Sequence, residues 1–298
     1  MRLSTDGVEI PSYPRAPLLY RLAKALERRR VKGSSWLLRS LRKMGLLDRA
    51  VDYEIGGALR LWVPLARNEF DHVYLKTYER EFLETLSGAI GGFHEDFTLI
   101  DAGADIGLFS VKLLSEAPSI RRIAAFEPNS EGFPWLRRNL ARLPISAQAI
   151  NSAVADFAGS GRLVAPARRF GAFEESHVEY FLVPDPAGPV NVTTIDSVAE
   201  SLSGNLMIKL DIEGGEDAAI KGASKAIRSA PHVIVAFEAH PDVCVRTGVD
   251  PVECLRLLAA MRPFAFTVGE TGATLATDTP VFEQIVPDRV YNLIAQSN

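Results

Sequence analysis

The chain has 298 residues, 47% of them hydrophobic, and a net charge of -4. That is ample apolar material for one large α/β domain with an extension, and the charge carries no basic field of the kind that gathers nucleic acid. Cys244 and Cys254 make no disulfide framework, no Cys/His spacing suits a metal, and neither a leader segment nor a run of roughly 20 apolar residues is seen. The expectation is a soluble, cytoplasmic protein without a nucleic-acid partner.

In chain order, residues 1–14 read as a polar, proline-bounded tail. From Arg15 to Arg49, basic residues such as Arg21, Lys24, Arg28, Arg39 and Lys43 stand among Leu18, Leu22, Leu26, Trp36, Leu38 and Leu41. Their spacings of three and four predict two amphipathic helices broken near Gly33. These read either as caps on the following domain with solvated charges, or as a peripheral membrane contact or a surface for an acidic substrate. Tyr53 to Val63 alternates about Gly56 and Gly57 and predicts a small hairpin. Residues 1–75 are thus an N-terminal extension and 76–298 the main domain. A helix over Tyr78 to Leu86 carries Glu79, read as a surface charge or a cofactor-side contact.

Phe97 to Ile100 is a short apolar run that ends in Asp101, then Gly103 and Gly107, then an apolar segment of helical period. A second run, Ile123 to Phe126, stops at Glu127 and Pro128, which closes a β-α-β unit with a carboxylate at each strand tip. Gly103 and Gly107 let backbone approach a ligand and the helix approach the sheet, while Glu127 can accept both hydroxyls of a ribose. A dinucleotide fingerprint needs a third glycine, because a pyrophosphate sits on the helix N-terminus. Here the run Asp101-Ala102-Gly103-Ala104-Asp105-Ile106-Gly107 carries two glycines and an extra acid. Asp105 would repel a pyrophosphate, yet it suits a ligand bearing an ammonium and a sulfonium, as S-adenosylmethionine does. Ala104 and Pro128 complete this ligand-side set. A third strand lies within Ile145 to Val154, whose Ser152 and Ala153 are adenine contacts or plain turn residues.

From Asp156 the βα rhythm breaks. Gly159-Ser160-Gly161 signals a turn and short strands flank a mixed segment, so residues 157–192 read as an inserted hairpin. Arg168, Arg169, Phe170, Phe173 and Tyr180 suit a substrate lid, or equally a cover for a sheet edge. Asp196, in Thr193 to Val198, is placed to cap the helix that follows.

Leu206 to Glu216 is a second chemical centre. Lys209, Asp211 and Glu213 alternate with Ile208, Leu210 and Ile212, so a strand sets three charges on one side, and charges in a buried strand need partners. Gly214-Gly215 turns into a helix over Asp217 to Ile227, and the next strand, VIVAFEAH, carries Glu238 and His240. With the usual doubly wound order, Asp101, Lys209, Asp211, Glu238 and His240 meet at one mouth. Asp211 and Glu238 are the acceptor-side acids, Lys209 orients them, and His240 is the type that titrates nearest neutrality. The other reading is a structural ion-pair cluster. No metal is required; a bound divalent cation would sit between Asp211 and Glu238. Pro251 to Met261 reads as a helix, Phe264 to Val268 as the sixth strand and Val290 to Ala295 as an antiparallel seventh, with residues 269–288 a long connection between the last two.

Taken together, DAGADIG (Asp101 to Gly107), AFEPN (Ala125 to Asn129), TTIDSV (Thr193 to Val198), IKLDIEGGE (Ile208 to Glu216) and the strand ending at Glu238 resemble the FkbM family of S-adenosylmethionine-dependent methyltransferases, over roughly residues 75–295. The family usually has Asn where this chain has Asp105. The resemblance implies the Rossmann-like, doubly wound, seven-stranded sheet of class I methyltransferases, and O-methylation of a hydroxyl on a sugar or glycan or on a small-molecule secondary metabolite. Two readings stay open beside it: an NAD-dependent oxidoreductase, and a non-catalytic binding protein that keeps the fold.

Overall fold

A computed structural model describes residues 2–5, 8–13, 15–67, 70–165, 180–199 and 204–297. The chain divides into two compact units, Met1–Arg80 and Glu81–Asn298. Among the described residues no helix is long and apolar enough to cross a membrane.

The first unit contains a four-stranded sheet, β1 (Arg2–Thr5), β2 (Val8–Tyr13), β3 (Ala50–Gly56) and β4 (Leu59–Pro64), in that order. The segment expected to be a tail is therefore paired: β1 and β2 form an antiparallel ribbon, and Ser12 and Tyr13 join β3 in parallel. The β2–β3 partners Ser12 and Ala50 lie about 40 residues apart in sequence, so no local signal announces that pairing, whereas Asp6-Gly7 between β1 and β2 is a local hairpin signal that the tail reading passed over. Between the strands run α1 (Leu18–Arg28) and α2 (Ser34–Lys43), the latter starting from Gly33 at φ 91°, a conformation cheap only for glycine. Tyr20, Ala23, Leu38, Leu41, Leu47, Val51 and Leu65 form this unit's core. A short α3 (His72–Thr77) follows, its first turn capped by Asp71, which accepts from Val73 and Tyr74 N–H.

The second unit is a mixed sheet flanked by helices. After α4 (Arg80–Gly91), its elements are β5 (Phe97–Ala102), α5 (Leu108–Glu116), β6 (Ile120–Phe126), α6 (Phe133–Leu140), β7 (Ser146–Ile150), then a small sheet of β8 (Ala153–Val154), β9 (Gly159–Val164), β10 (Phe181–Pro184) and β11 (Val190–Thr193). α7 (Ile195–Ala199), β12 (Asn205–Leu210), α8 (Glu216–Lys221), α9 (Ser224–Ser229), β13 (Val233–Ala239), α10 (Pro241–Thr247), α11 (Val252–Ala259), β14 (Phe264–Val268), α12 (Val281–Gln284) and β15 (Tyr291–Ser297) complete it. The seven strands run in the order β14-β15-β13-β12-β5-β6-β7. β15 is antiparallel to both its neighbours, while β13, β12, β5, β6 and β7 pair in parallel. β5 and β12 are buried at every residue, as central parallel strands covered on both faces must be. One core layer packs Ile100, Ile208, Val235 and Phe237 against Ile220, Ile227, Leu255 and Leu258.

Chain order reverses between β5 and β12, so the crevice beyond their carboxyl ends is where such a sheet takes ligands. Several boundaries differ from the sequence reading. The helix through Tyr78 starts at Arg80. The single helix expected over Asp217 to Ile227 is two, because Gly222 packs so tightly that a Cβ there would lie 2.0 Å from the Ala155 carbonyl oxygen. In the interrupted region β9 pairs antiparallel with β10 and with β11, and β11 runs parallel to β8. Arg168, Arg169, Phe170 and Phe173 lie outside the described residues.

Candidate active site

The loop after β5 is shaped by alternating left-handed residues, Gly103 (φ 82°), Asp105 (φ 48°) and Gly107 (φ 87°). Its entry is closed on the sheet itself: Gly103 and Ala104 N–H both donate to the Phe126 carbonyl (3.0 and 2.9 Å). Gly103 is required by its neighbour strand, since a Cβ there would lie 1.8 Å from the Asp211 carbonyl oxygen. Gly107 starts α5, and a Cβ on it would meet Leu136 of α6 at 3.1 Å. The expected freedoms are thus used for strand-to-loop and helix-to-helix approach. Glu127, 6% exposed at the tip of β6, holds the corner: Oε2 accepts from Asp105 N–H and Oε1 from Asn129 N–H, each at 2.7 Å. A carboxylate bonded in this way has one fixed orientation. The Oδ1 of Asp105 lies where a Cβ on Gly132, at the start of α6, would come within 2.9 Å.

The neighbouring corner is charged. Asp101 and Lys209 are register partners on β5 and β12 and both are 1% exposed. Ser110 Oγ donates to Asp101 Oδ2 (2.6 Å), and Lys209 Nζ lies 3.3 Å from Asp211 Oδ2 and 5.5 Å from the centre of the Phe109 ring. Burial pushes the Asp101 carboxyl up to about 6; the Ser110 bond and the Lys209 cation pull against it, and Asp211 adds to the rise. Half-buried Asp211 and Glu238 each place a carboxylate oxygen within 4.8 Å of the other's. Past Asp211 the strand ends, so Glu213 (φ 59°) does not share the side of Lys209 and Asp211 as alternation suggested. That turn is tied by Glu216, whose Oε1 accepts from Gly214 (3.1 Å) and Ile212 (3.4 Å) N–H; burial raises its carboxyl in spite of those bonds.

Residues 101–262, more than half of the chain, match the methyltransferase FkbM domain. The chain belongs to the FkbM methyltransferase family. Among curated proteins it is 27% identical over 170 residues to the hexuronic acid methyltransferase AglP of Haloferax volcanii, a match covering 55% of this chain and 62% of that protein. The chain therefore spans less than two thirds of that relative's length. Among solved structures it is similar to methyltransferase FkbM from Methylobacillus flagellatus (16% identity, TM-score 0.44, 92% of this chain and 76% of that one). It is also similar to the precorrin-6y C5,15-methyltransferase of Geobacter metallireducens (12% identity, TM-score 0.37, 72% and 87%).

Within this FkbM domain the expected residues fall into three groups. Gly103, Ala104, Asp105, Gly107, Glu127 and half-buried Pro128 gather at one corner, and Asp101, Lys209, Asp211 and Glu238 at the next. Ser152, Ala153 and His240 are engaged otherwise. Ala153 is buried with Ala155 and Val192 under the small sheet, and Ser152 N–H donates back to Ile150 O (3.0 Å). His240 caps α10: its Nδ1 accepts from Asp242 N–H (3.1 Å), so the neutral ring carries its proton on Nε2 and presents a donor there. Glu79 belongs to the first unit, with φ 44°. Asp196 caps not its own helix but α9, accepting from Lys225 and Ala226 N–H (3.1 and 2.9 Å), while Thr194 Oγ1 takes Ser197 N–H.

Three residues went unmarked in the sequence. Asn151 Nδ2 donates to the Glu127 carbonyl (2.8 Å). Arg246 donates to the Glu213 carbonyl (2.5 Å) and stacks on Phe181 at 4.6 Å. Glu216 was seen only as the end of a motif; an acid in the first helical turn after a Gly-Gly pair was the available signal.

Proposed function

We propose that this family member is an O-methyltransferase that uses S-adenosylmethionine and takes a hydroxyl of a sugar, on a hexuronic acid unit of a glycan, as acceptor. The observation that carries the reading is the family match over 101–262, which takes in both the Glu127 clamp and the Lys209–Asp211 pair. The hexuronic acid methyltransferase activity of the Haloferax relative supports the acceptor class. The family assignment does not favour an oxidoreductase or a non-catalytic protein.

When bound, the cofactor supplies an electrophilic methyl group on a sulfonium. Glu127 is an acceptor-only group in one orientation, which is the chemistry a vicinal ribose diol needs. Asp105 adds negative charge on the side of the ammonium and sulfonium. Gly103, Ala104, Gly107 and Pro128 shape the backbone along the cofactor. A sugar hydroxyl is a poor nucleophile until its proton leaves, and a carboxylate within hydrogen-bond reach can take that proton. Lys209 fixes Asp211 as the group that orients the hydroxyl, and Glu238 takes the proton. His240, holding its proton on Nε2, donates rather than accepts. Were a divalent cation used, Asp211 and Glu238 would hold it.

The test is transfer of a labelled methyl group to uronic-acid glycosides. The label is expected as an ether that survives mild alkali, with turnover reduced about a hundredfold or more in Asp211→Asn and Glu238→Gln while S-adenosylhomocysteine still binds. An alkali-labile ester would move the transfer to the sugar carboxylate, which needs no base. Unchanged turnover in both variants would remove the acids from the reaction.

A further inference from the structure

In α1 the usual sorting of side chains is reversed. Tyr20, Ala23 and Lys24 face inward, with Lys24 ion-paired to Glu27, whereas Leu18, Leu19 and Leu22 are 77%, 55% and 50% exposed. A helix that only covered a core would turn its leucines in and its lysine out. In α2, Leu38 and Leu41 are buried, and Trp36, on the opposite side, is 68% exposed. Exposed Arg39 and Lys43 lie three and seven residues beyond it, on the same helical face. Val31, Met44 and Leu46 beside the helices are exposed too, so seven of the twelve exposed large apolar residues among those described fall within residues 15–49. The same stretch holds eleven arginines and lysines against Glu27 and Asp48, a net of +9 in a chain of net -4. All of these cations except Lys24 are exposed.

We propose that the first unit is a peripheral membrane-binding module that lays α1 and α2 on an anionic lipid surface. Leucines that reach the acyl boundary, a tryptophan at headgroup depth and cations at the phosphates are the combination such a surface selects. Duplex nucleic acid would use the cations but gives the leucines nothing to enter. A second protein with an apolar groove would leave the ring of cations unexplained. The inference stands apart from the methyl-transfer reading.

The experiment is co-sedimentation of the full chain with vesicles of phosphatidylglycerol and phosphatidylcholine, and with phosphatidylcholine alone. Retention is expected on the anionic vesicles only, weakening with salt, with a blue shift of tryptophan emission that Trp36→Phe removes. The triple variant Leu18→Ser, Leu19→Ser, Leu22→Ser alters exposed side chains, so it should fold as the parent by circular dichroism, and its retention should fall at least about tenfold. No retention by anionic vesicles would overturn the proposal. So would retention indifferent to the serines, equal affinity for duplex DNA, or a leucine-dependent dimer in sedimentation velocity without vesicle binding.

Discussion

The loops after β5 and β12 leave adjacent strands, and each is held by a carboxylate that accepts two backbone N–H groups. Glu127 reaches from a third strand and ties the turn at Asp105 to the turn at Asn129. Glu216 ties Ile212 and Gly214, both within four residues of itself. The same device thus joins two loops in one case and folds a single loop in the other. The difference teaches that the corner proposed for the cofactor is a long-range assembly, whereas the turn after β12 is largely a local one.

The strongest way to break that comparison is at the glycines. Gly103→Ala meets the Asp211 carbonyl oxygen at 1.8 Å from a left-handed backbone, and is expected to cost more than about 4 kcal/mol or to prevent folding. Gly214→Ala also starts from a left-handed backbone, at φ 104°, but meets side chains alone, those of Val243, Thr247 and Arg246 at 2.9, 3.2 and 3.6 Å, so a smaller loss of about 1–2 kcal/mol in thermal unfolding is expected.

Next in size, Glu127→Ala should lower S-adenosylhomocysteine affinity about a thousandfold by calorimetry, since two backbone donors and the ribose lose their acceptor together. Glu216→Ala should cost about 1–3 kcal/mol of stability and leave that affinity within a few-fold. Equal binding losses in the two variants would erase the distinction.

Asp101 gives a pH signature. Its folded value, about 6, lies above the ordinary carboxylate value of 3.8, so the stability it contributes is present below about pH 4 and is lost as pH rises through 6. The difference in urea stability between Asp101→Asn and the parent should grow in favour of the variant across that window, by on the order of 3 kcal/mol, and then level off. The smallest effect belongs to Asp105→Asn, which places the residue most at ease in the left-handed region at φ 48° and should add about 0.5 kcal/mol or less.

Strand tips were the most legible part of the sequence, because an apolar run that stops at an acid marks both the strand and its end: Asp101 and Glu127 could be placed that way. Contacts made at a distance were not. That Asp196 caps a helix 29 residues on, or that Gly222 stops a helix against Ala155, is decided by tertiary approach. The inversion of α1 was also hidden, since Leu18, Leu22, Tyr20 and Ala23 give two plausible apolar faces and only packing chooses between them. His240 could be read as a base until the Asp242 N–H was seen to occupy its Nδ1.

The close seat of Gly103 on the Asp211 carbonyl has a consequence for how acceptor preference can change in such a fold. A chimera that took only the turn after β12 from a relative with another acceptor would bring a foreign backbone against Gly103 and disturb the Glu127 corner with it. The unit to exchange is the pair of loops, moved together with the glycine that lets them touch.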